Sequence, residues 1–250
     1  MTADQTRQRL DLTLVARGLA PTRSRARDLI ARGLVTLDGV PSTKPALIVP
    51  PDALLAVDQH EASLVSRGGV KLQAGLTAFG FDPARRTALD VGASTGGFTQ
   101  ALLAGRAAKV YAVDVGHGQL HASLAADPRV VSLEGTDART LTAALIPDPI
   151  TAITADVSFI SLTKALPAAL ALARPGAWLI ALVKPQFEAG PANVGKGGIV
   201  RDEAARAASI TAVRDWLSAL GGWRIVGLIP SPITGGSGNI EYLLGARHDH

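Results

Sequence analysis

The stretch DVGASTGGFTQALLAG, Asp90 to Gly105, changes its structural period partway along. The apolar run Thr87–Val91 that leads into it has the length and composition of a buried strand. After Gly96-Gly97, the apolar residues Phe98, Ala101 and Leu102 recur at helical spacing. A strand that stops at a glycine and continues as a helix is the opening unit of a parallel α/β sheet. Glycines at such a break let the backbone come close to a bound molecule.

Outward from this unit, short apolar runs keep alternating with helical stretches. The predicted strands are Thr87–Val91, Lys109–Val113, Val130–Leu133, Ile150–Ala155, Trp178–Val183, Trp223–Leu228 and Ile240–Leu244. They imply an α/β fold with a Rossmann-like, seven-stranded, mostly parallel sheet. In open sheets of this kind, ligands bind beyond the carboxyl ends of the strands. Asp90, Asp114, Asp156 and Lys184 each end a predicted strand and are expected in one crevice. Pro185 holds Lys184 extended. Ser161 is better placed than Asp156 to cap the helix that follows, which leaves Asp156 for other work.

Asp114 lies 22 residues after Gly92, where an acid accepts hydrogen bonds from both ribose hydroxyls of an adenosine. NAD and S-adenosylmethionine share that geometry. Gly92, Gly96 and Gly97 do not fit G-x-G-x-x-G, whose helix N-terminus receives a pyrophosphate. The form Asp-x-Gly-x-Ser-x-Gly-Gly resembles instead the first motif of class I methyltransferases, whose cofactor carries no phosphate. The expected cofactor residues are Asp90, Gly92, Ser94, Gly96, Gly97 and Phe98 from the first unit, with Asp114 and Val115 from the second. Asp137 and Ala138 of EGTDAR, beside the adenine, and Asp156 complete the set.

The N-terminal segment has a different character. Residues 7–44 carry eight basic against three acidic side chains, whereas from Glu61 onward the balance is 17 to 15. RLDLTLVARGL reads as a helix stopping at Gly18, and PTRSRARDLIARG as a second helix capped by Thr22 or Ser24. Its apolar face holds Ala26, Leu29 and Ile30, leaving Arg23, Arg25, Arg27 and Arg32 largely outside. The following segment turns at Asp38-Gly39 as a hairpin does. Two short helices, a small sheet and an arginine-bearing helix resemble the small RNA-binding domain named after ribosomal protein S-four. Arginine suits phosphate geometry, and an arginine-rich face here predicts RNA binding over an ordinary solvated helix. The expected domains are residues 1–59, a linker 60–66, and residues 67–250.

GPANVGKGG, Gly190 to Gly198, has the spacing of a nucleotide-triphosphatase loop. It carries Gly197 where that loop needs Ser or Thr for magnesium, and it follows VKPQFE rather than a strand-to-helix turn. A phosphate-binding role is therefore not expected.

Seven segments in order carry a closer resemblance: SRGGVKL (66–72), DVGASTGGFT (90–99), VYAVDVGHGQL (110–120), DVSFISL (156–162), VKPQFE (183–188), VGKGGIVRD (194–202) and SPITGGSGNIEY (231–242). Together they are similar to the TlyA/hemolysin A family, whose catalytic domain is related to FtsJ-type enzymes. The resemblance implies S-adenosylmethionine-dependent 2′-O-methylation of ribosomal RNA at cytidine, in the cytoplasm, on ribosomal subunits or ribosomes. It also implies a catalytic tetrad of Lys71, Asp156, Lys184 and Glu241. The RNA-binding residues implied are Arg9, Arg17, Arg23, Arg25, Arg27, Arg32 and Lys44, with Arg67 and Lys196 beside the active site. Lys184 is expected to take the hydroxyl proton if Lys71 and burial favour its neutral amine. If Asp156 and Glu241 hold it charged, it orients the hydroxyl and stabilises developing negative charge. Two positions depart from the family pattern: Leu64 replaces an aromatic, and Asp137 an asparagine. The chain closes about six residues after its last predicted strand, which predicts a narrower set of RNA targets.

Composition limits the alternatives. There is no cysteine, which excludes disulfides, thiolate metal sites and a thiol nucleophile. No Asp/His/Glu cluster has ligand spacing, so no metal is expected. The polar N-terminus carries no leader, and Ala165–Val183, broken by Arg174-Pro175, reads as helix then strand rather than a membrane span. A membrane-lytic protein is accordingly disfavoured. So is a non-catalytic RNA-binding protein on the same fold, because it would have no use for four polar groups in one crevice.

Overall fold

The computed structural model describes residues 7–20, 22–58, 65–235 and 238–249, with the side chains of Arg25 and Asp28 outside that description. Most of the expected linker, Leu64 included, lies outside the described residues. The chain divides into two compact units, Met1–Leu64 and Val65–His250.

In the first unit β1 (Gln8–Arg9) leads directly into α1 (Leu10–Ala16), followed by α2 (Arg23–Ala31). Gly18 ends the first helix in the left-handed region, at φ 68°, with Leu19 N–H returning to the Leu14 carbonyl. The second helix begins at Arg23, which puts Thr22 before it and Ser24 inside it. Next come β2 (Val35–Leu37), β3 (Val40–Pro41), β4 (Ile48–Val49) and β5 (Leu55–Val57). Asp38 and Gly39 both have positive φ, as the tight turn between β2 and β3 requires. Leu10, Leu14, Ala26, Leu29, Ile30 and Val35 close a separate small core.

The second unit opens with α3 (Gly68–Phe79), then β6 (Thr87–Val91), α4 (Gly97–Ala104), β7 (Lys109–Asp114), α5 (Ala122–Ala125), β8 (Val130–Glu134) and β9 (Ile150–Ala155). It continues through α6 (Leu162–Ala165), α7 (Pro167–Ala171), β10 (Ala173–Val183), α8 (Pro185–Glu188), α9 (Glu203–Ala219), β11 (Trp223–Pro230) and β12 (Tyr242–His248). The seven strands form one sheet in the order β11-β12-β10-β9-β6-β7-β8. All neighbours are parallel except β12, which runs antiparallel to both β10 and β11. Alternate residues serve opposite faces. Leu89, Ile153 and Leu179 pack under α6, α7 and α9, while Ala88, Ala152 and Ile180 pack under α3 and α4.

Strand order reverses between β6 and β9, which places a topological switch point there. β7, β8 and β11 run one or two residues past their expected ends, and two strands differ further. β10 starts at Ala173, and Arg174-Pro175 fall in an irregular stretch between its pairings at Ala173 and Trp178. The last strand is Tyr242–His248 rather than Ile240–Leu244, so it reaches nearly to the end of the chain. Pairing starts only at Tyr242 because the chain from Ser231 to Glu241 is an excursion, closed by Ser231 N–H to the Glu241 carbonyl (2.8 Å). The buried Asn239 side chain anchors that excursion to Gly198 and Val200, off the sheet.

Candidate functional site

The crevice at the switch point is assembled from strand ends. Gly92, at φ 81°, follows β6, and a Cβ there would lie 2.8 Å from the Asp156 carbonyl oxygen. Only glycine lets the β6 and β9 ends approach this closely. Gly92 N–H bonds to Val113 O, and Asp156 N–H to Val91 O, tying β6, β7 and β9 together where the crevice opens. Asp114 ends β7 and accepts the Ser94 N–H on one carboxylate oxygen and the Gly116 N–H on the other, both at 2.8 Å. A carboxylate has about four acceptor sites, so both oxygens retain capacity for a further donor.

A cavity of about 490 Å³ runs past Gly92, Asp114, Val115, Asp137, Ala138 and Ile160. Its walls combine apolar side chains with three carboxylates, Asp114, Asp137 and Asp156. Arg139 bonds both Asp137 oxygens, and the guanidinium holds that carboxyl below its usual range. A second cavity of about 280 Å³ shares Gly92, Ser94, Asp156 and Ser158 with the first and adds Ser66, Arg67, Lys71, Phe98 and Lys184. A third, of about 370 Å³, holds Lys71, Asp156, Lys184 and Glu241 together.

Those four residues form two pairs. Lys71 lies on the buried side of α3, and its Nζ is 2.6 Å from Glu241 Oε2. Glu241 precedes β12, and its other oxygen accepts Gln186 Nε2 at 3.2 Å. Lys184 directly follows β10 at φ −112°, ψ 100°, and Pro185 starts α8 at its first position, where the missing N–H costs nothing. Lys184 Nζ is 2.6 Å from Asp156 Oδ1 and donates to Ser158 Oγ at 2.8 Å. Both lysines are nearly buried. Each therefore faces a carboxylate at ion-pair distance.

Other expected site residues fall elsewhere. Asp90 does not enter the crevice. It lies one residue inside β6, fully buried, and accepts hydrogen bonds from Thr99 Oγ1 (2.7 Å) and Thr154 Oγ1 (2.9 Å). Burial pushes its carboxyl up to about 6. Gly96 faces Leu120 and Leu124 rather than a cavity, while Gly97 does line the second cavity and also lets the start of α3 pass close by. Lys196 is exposed on the turn between Gly195 and Ile199, beside but not within the third cavity. That turn follows a short 3-10 segment, Pro191–Asn193, and has no strand-to-helix geometry. Ser161 caps α6 by accepting Thr163 N–H. Ser158 and Gln186 were not anticipated. Their signal was position, two residues after Asp156 and Lys184.

In the first unit, Arg9 grips the buried Asp11 with two bonds and Arg23 adds a third, all at 3.0 Å. Arg17 is exposed, and its guanidinium lies on backbone, donating to the Ala53 and Pro51 carbonyls at 2.5 and 2.6 Å. Arg27 and Lys44 are exposed and Arg32 is half-buried, while the Arg25 side chain lies outside the described residues. Among the described residues, no group of His, Cys, Asp and Glu could hold a metal, and no helix is long and apolar enough to cross a membrane.

The strand order, the antiparallel β12 and the switch-point crevice define a class I methyltransferase fold. Residues 64–248 match the FtsJ-like methyltransferases and residues 8–55 the S4 domain. The chain belongs to the FtsJ-like methyltransferase family, in its TlyA/hemolysin A branch. It is 50% identical over 242 residues to the 16S/23S rRNA (cytidine-2′-O)-methyltransferase TlyA of Mycobacterium tuberculosis, covering 96% of this chain and 90% of that protein. It is 40% identical over 237 residues to hemolysin A of Brachyspira hyodysenteriae, covering 94% of this chain and 98% of that one. A solved structure of a hemolysin-type protein from Streptococcus thermophilus superposes with a TM-score of 0.74 at 36% identity, over 98% of this chain and 90% of that one.

Proposed function

We propose that this protein transfers a methyl group from S-adenosylmethionine to the 2′-hydroxyl of a cytidine ribose in ribosomal RNA, in the cytoplasm. The observation that carries the proposal is the meeting of Lys184–Asp156 and Lys71–Glu241 in one cavity, alongside the cavity that Asp114 enters. The residues present fit the cofactor. Asp114 offers a carboxylate to ribose hydroxyls, Val115, Ala138 and Ile160 offer apolar walls to an adenine, and the glycine turn carries no lysine for a phosphate. Gly92, Ser94 and Phe98 would flank the amino-acid end, in the second cavity. When bound, the cofactor supplies an electrophilic methyl group on a sulfonium.

The residues of the chain then do two things. They hold the ribose hydroxyl in line with the methyl group, and such positioning can supply much of the rate. They also stabilise the oxygen as it attacks. Lys184 performs both as an ammonium, since it already donates to Ser158 and pairs with Asp156. To act as a base it would first have to hand a proton to Asp156. As the O–CH₃ bond forms and the S–CH₃ bond breaks, the oxygen carries both the methyl group and its own proton. It is then strongly acidic, and Asp156, the carboxylate beside the ammonium, takes the proton. Lys71 and Glu241, joined to Gln186, fix the opposite wall. Arg67 and Lys196 flank the site for RNA, and the arginines of the first unit bind RNA phosphates.

The test is transfer of labelled methyl from S-adenosylmethionine to isolated ribosomal subunits and ribosomes, followed by nuclease mapping. The expected product is 2′-O-methylcytidine, resistant to alkali. Label on a base, or none in RNA, overturns the proposal.

A further inference from the structure

The first unit contains a carboxylate whose only described side-chain partners are arginines. Asp11 has no exposed surface, and its two oxygens accept three guanidinium bonds. Arg9 uses Nε and Nη2 in a bidentate fork, whereas Arg23 uses Nε alone. The side chains of Arg9 and Arg23 remain 38% and 53% exposed. Among the described residues, Nη1 of Arg9 and both Nη groups of Arg23 have no acceptor and are left as donors.

A free arginine samples many rotamers, and binding a phosphate fixes them at an entropic cost. Two guanidinium groups also repel each other when close. Asp11 answers both problems: it fixes each planar fork and cancels one of the two charges, leaving a net positive pair. The carboxylate is itself immobile, because it sits in the first turn of α1, where Leu10 and Asp11 N–H groups bond to Leu47 O and Pro45 O. The guanidinium bond from Arg9, ahead of the other contributions, holds its carboxyl down to about 2.

We propose that Asp11 is a positioning residue for RNA binding, which pre-orients Arg9 and Arg23 as a two-pronged receptor for one phosphate group of the RNA backbone. This rests on the RNA-binding reading of the unit. The sign of one mutational effect separates it from simple electrostatics. Replacing Asp11 by Asn removes a negative charge near the RNA, so long-range attraction alone predicts tighter binding. Loss of pre-orientation predicts weaker binding, by roughly tenfold for two arginine side chains that must then be ordered by the RNA.

The experiment measures binding of the full chain to isolated ribosomal subunits across a salt series, for the unaltered protein, Asp11→Asn, Arg9→Ala/Arg23→Ala and the triple variant. The expected result for Asp11→Asn is weaker binding with an unchanged slope of log affinity against log salt, because both arginines remain charged. In the Arg9→Ala/Arg23→Ala background, Asp11→Asn should cause no further loss. Unchanged or tighter binding by Asp11→Asn, with the double variant weakened, overturns the positioning role and leaves RNA binding standing. An unaffected double variant overturns both. Should Asp11→Asn fail to fold, Arg9→Lys/Arg23→Lys decides, since lysine keeps the charge but not the fork. Binding as tight as that of the unaltered protein would then overturn the proposal, and a loss approaching that of the alanine pair would support it.

Discussion

Both units bury carboxylates against cations, but they choose different cations. In the first unit Asp11 is held by two arginines that remain partly exposed. In the second, Asp156 and Glu241 each meet a single lysine that is nearly buried. Arginine offers a rigid fork and a permanent charge, which suits recognition of a fixed anion. Lysine offers a compact charge that can approach a small reacting atom closely. On the proposed function, the difference teaches that one motif, a carboxylate paired with a cation, would serve recognition at one end of the chain and chemistry at the other. Neither pair is strong evidence for stability, since desolvation consumes most of what the attraction supplies.

The largest expected effect breaks the chemical half of this contrast. Lys184→Ala should lower single-turnover methyl transfer by roughly 10²–10⁴-fold, with RNA and cofactor affinity nearly unchanged, because the contribution is made in the transition state. Lys184→Arg sharpens the point. Arginine keeps the charge and cannot take a proton, so measurable activity that exceeds the alanine variant fits an electrostatic role. Complete loss, with RNA docking intact, would instead make Lys184 the base.

A smaller effect is expected at the cofactor cavity. Asp114→Ala should weaken S-adenosylmethionine binding by roughly 1–3 kcal/mol, the cost of leaving buried hydrogen-bonding groups unmatched. Calorimetry should show this directly, and equal affinities would remove Asp114 from the ribose. In this case the substitution also frees the Ser94 and Gly116 N–H groups, so a folding check by thermal melting belongs with it.

The arginines of the first unit should then divide by what they touch. Arg27→Ala, at an exposed position, should reduce the slope of log affinity against log salt by up to about one unit while leaving stability within about 0.5 kcal/mol. Arg17→Ala should do the reverse: it removes the donor that closes the Ala53 and Pro51 carbonyls and lowers the melting temperature, with little change in slope. A slope change at Arg17 would return it to the RNA surface.

How far the sequence carries this contrast depends on what each residue must satisfy. Strands ending in polar residues, a glycine at the break and a proline after Lys184 are local signals, and the seven strands, Asp156 and Lys184 follow from them. The pairing of Lys71 with Glu241 spans 170 residues and has no local trace. It entered only through family resemblance. Asp90 shows the limit of reading strand ends. Asp156 and Lys184 stand just beyond β9 and β10, where a side chain can face the crevice, whereas Asp90 stands inside β6 and is covered by Thr99 of α4. One residue of register separates a ligand-facing carboxylate from a structural one. Arg17 is the corresponding case in the first unit: its charge points to RNA, while its bonds to the Ala53 and Pro51 carbonyls lie beyond the reach of periodicity.

A pH dependence tests that buried Asp90 against Asp11. Both are without exposed surface, but Asp11 has guanidinium partners and is held at about 2, while Asp90 has neutral donors, the Thr99 and Thr154 hydroxyls and the Thr99 N–H, and burial lifts it to about 6. A carboxyl raised on folding favours the protonated state in the native chain. Its contribution to stability is therefore fully present below about pH 4, the ordinary carboxylate value, and is lost as pH rises through 6. Asn is neutral at every pH, so Asp90→Asn removes that dependence while keeping the shape. Relative to the variant, the unaltered protein should lose at most about 3 kcal/mol between pH 4 and 7. At two to four degrees per kcal/mol for a unit of this size, that is a shift of at most about twelve degrees in melting temperature. Parallel melting curves across that range would mean that the Thr99 and Thr154 hydroxyls, together with the start of α4, solvate the charge as well as water does. Asp90 and Asp11 would then be equivalent buried anions, and the contrast between guanidinium and hydroxyl partners would fail at its most sensitive point.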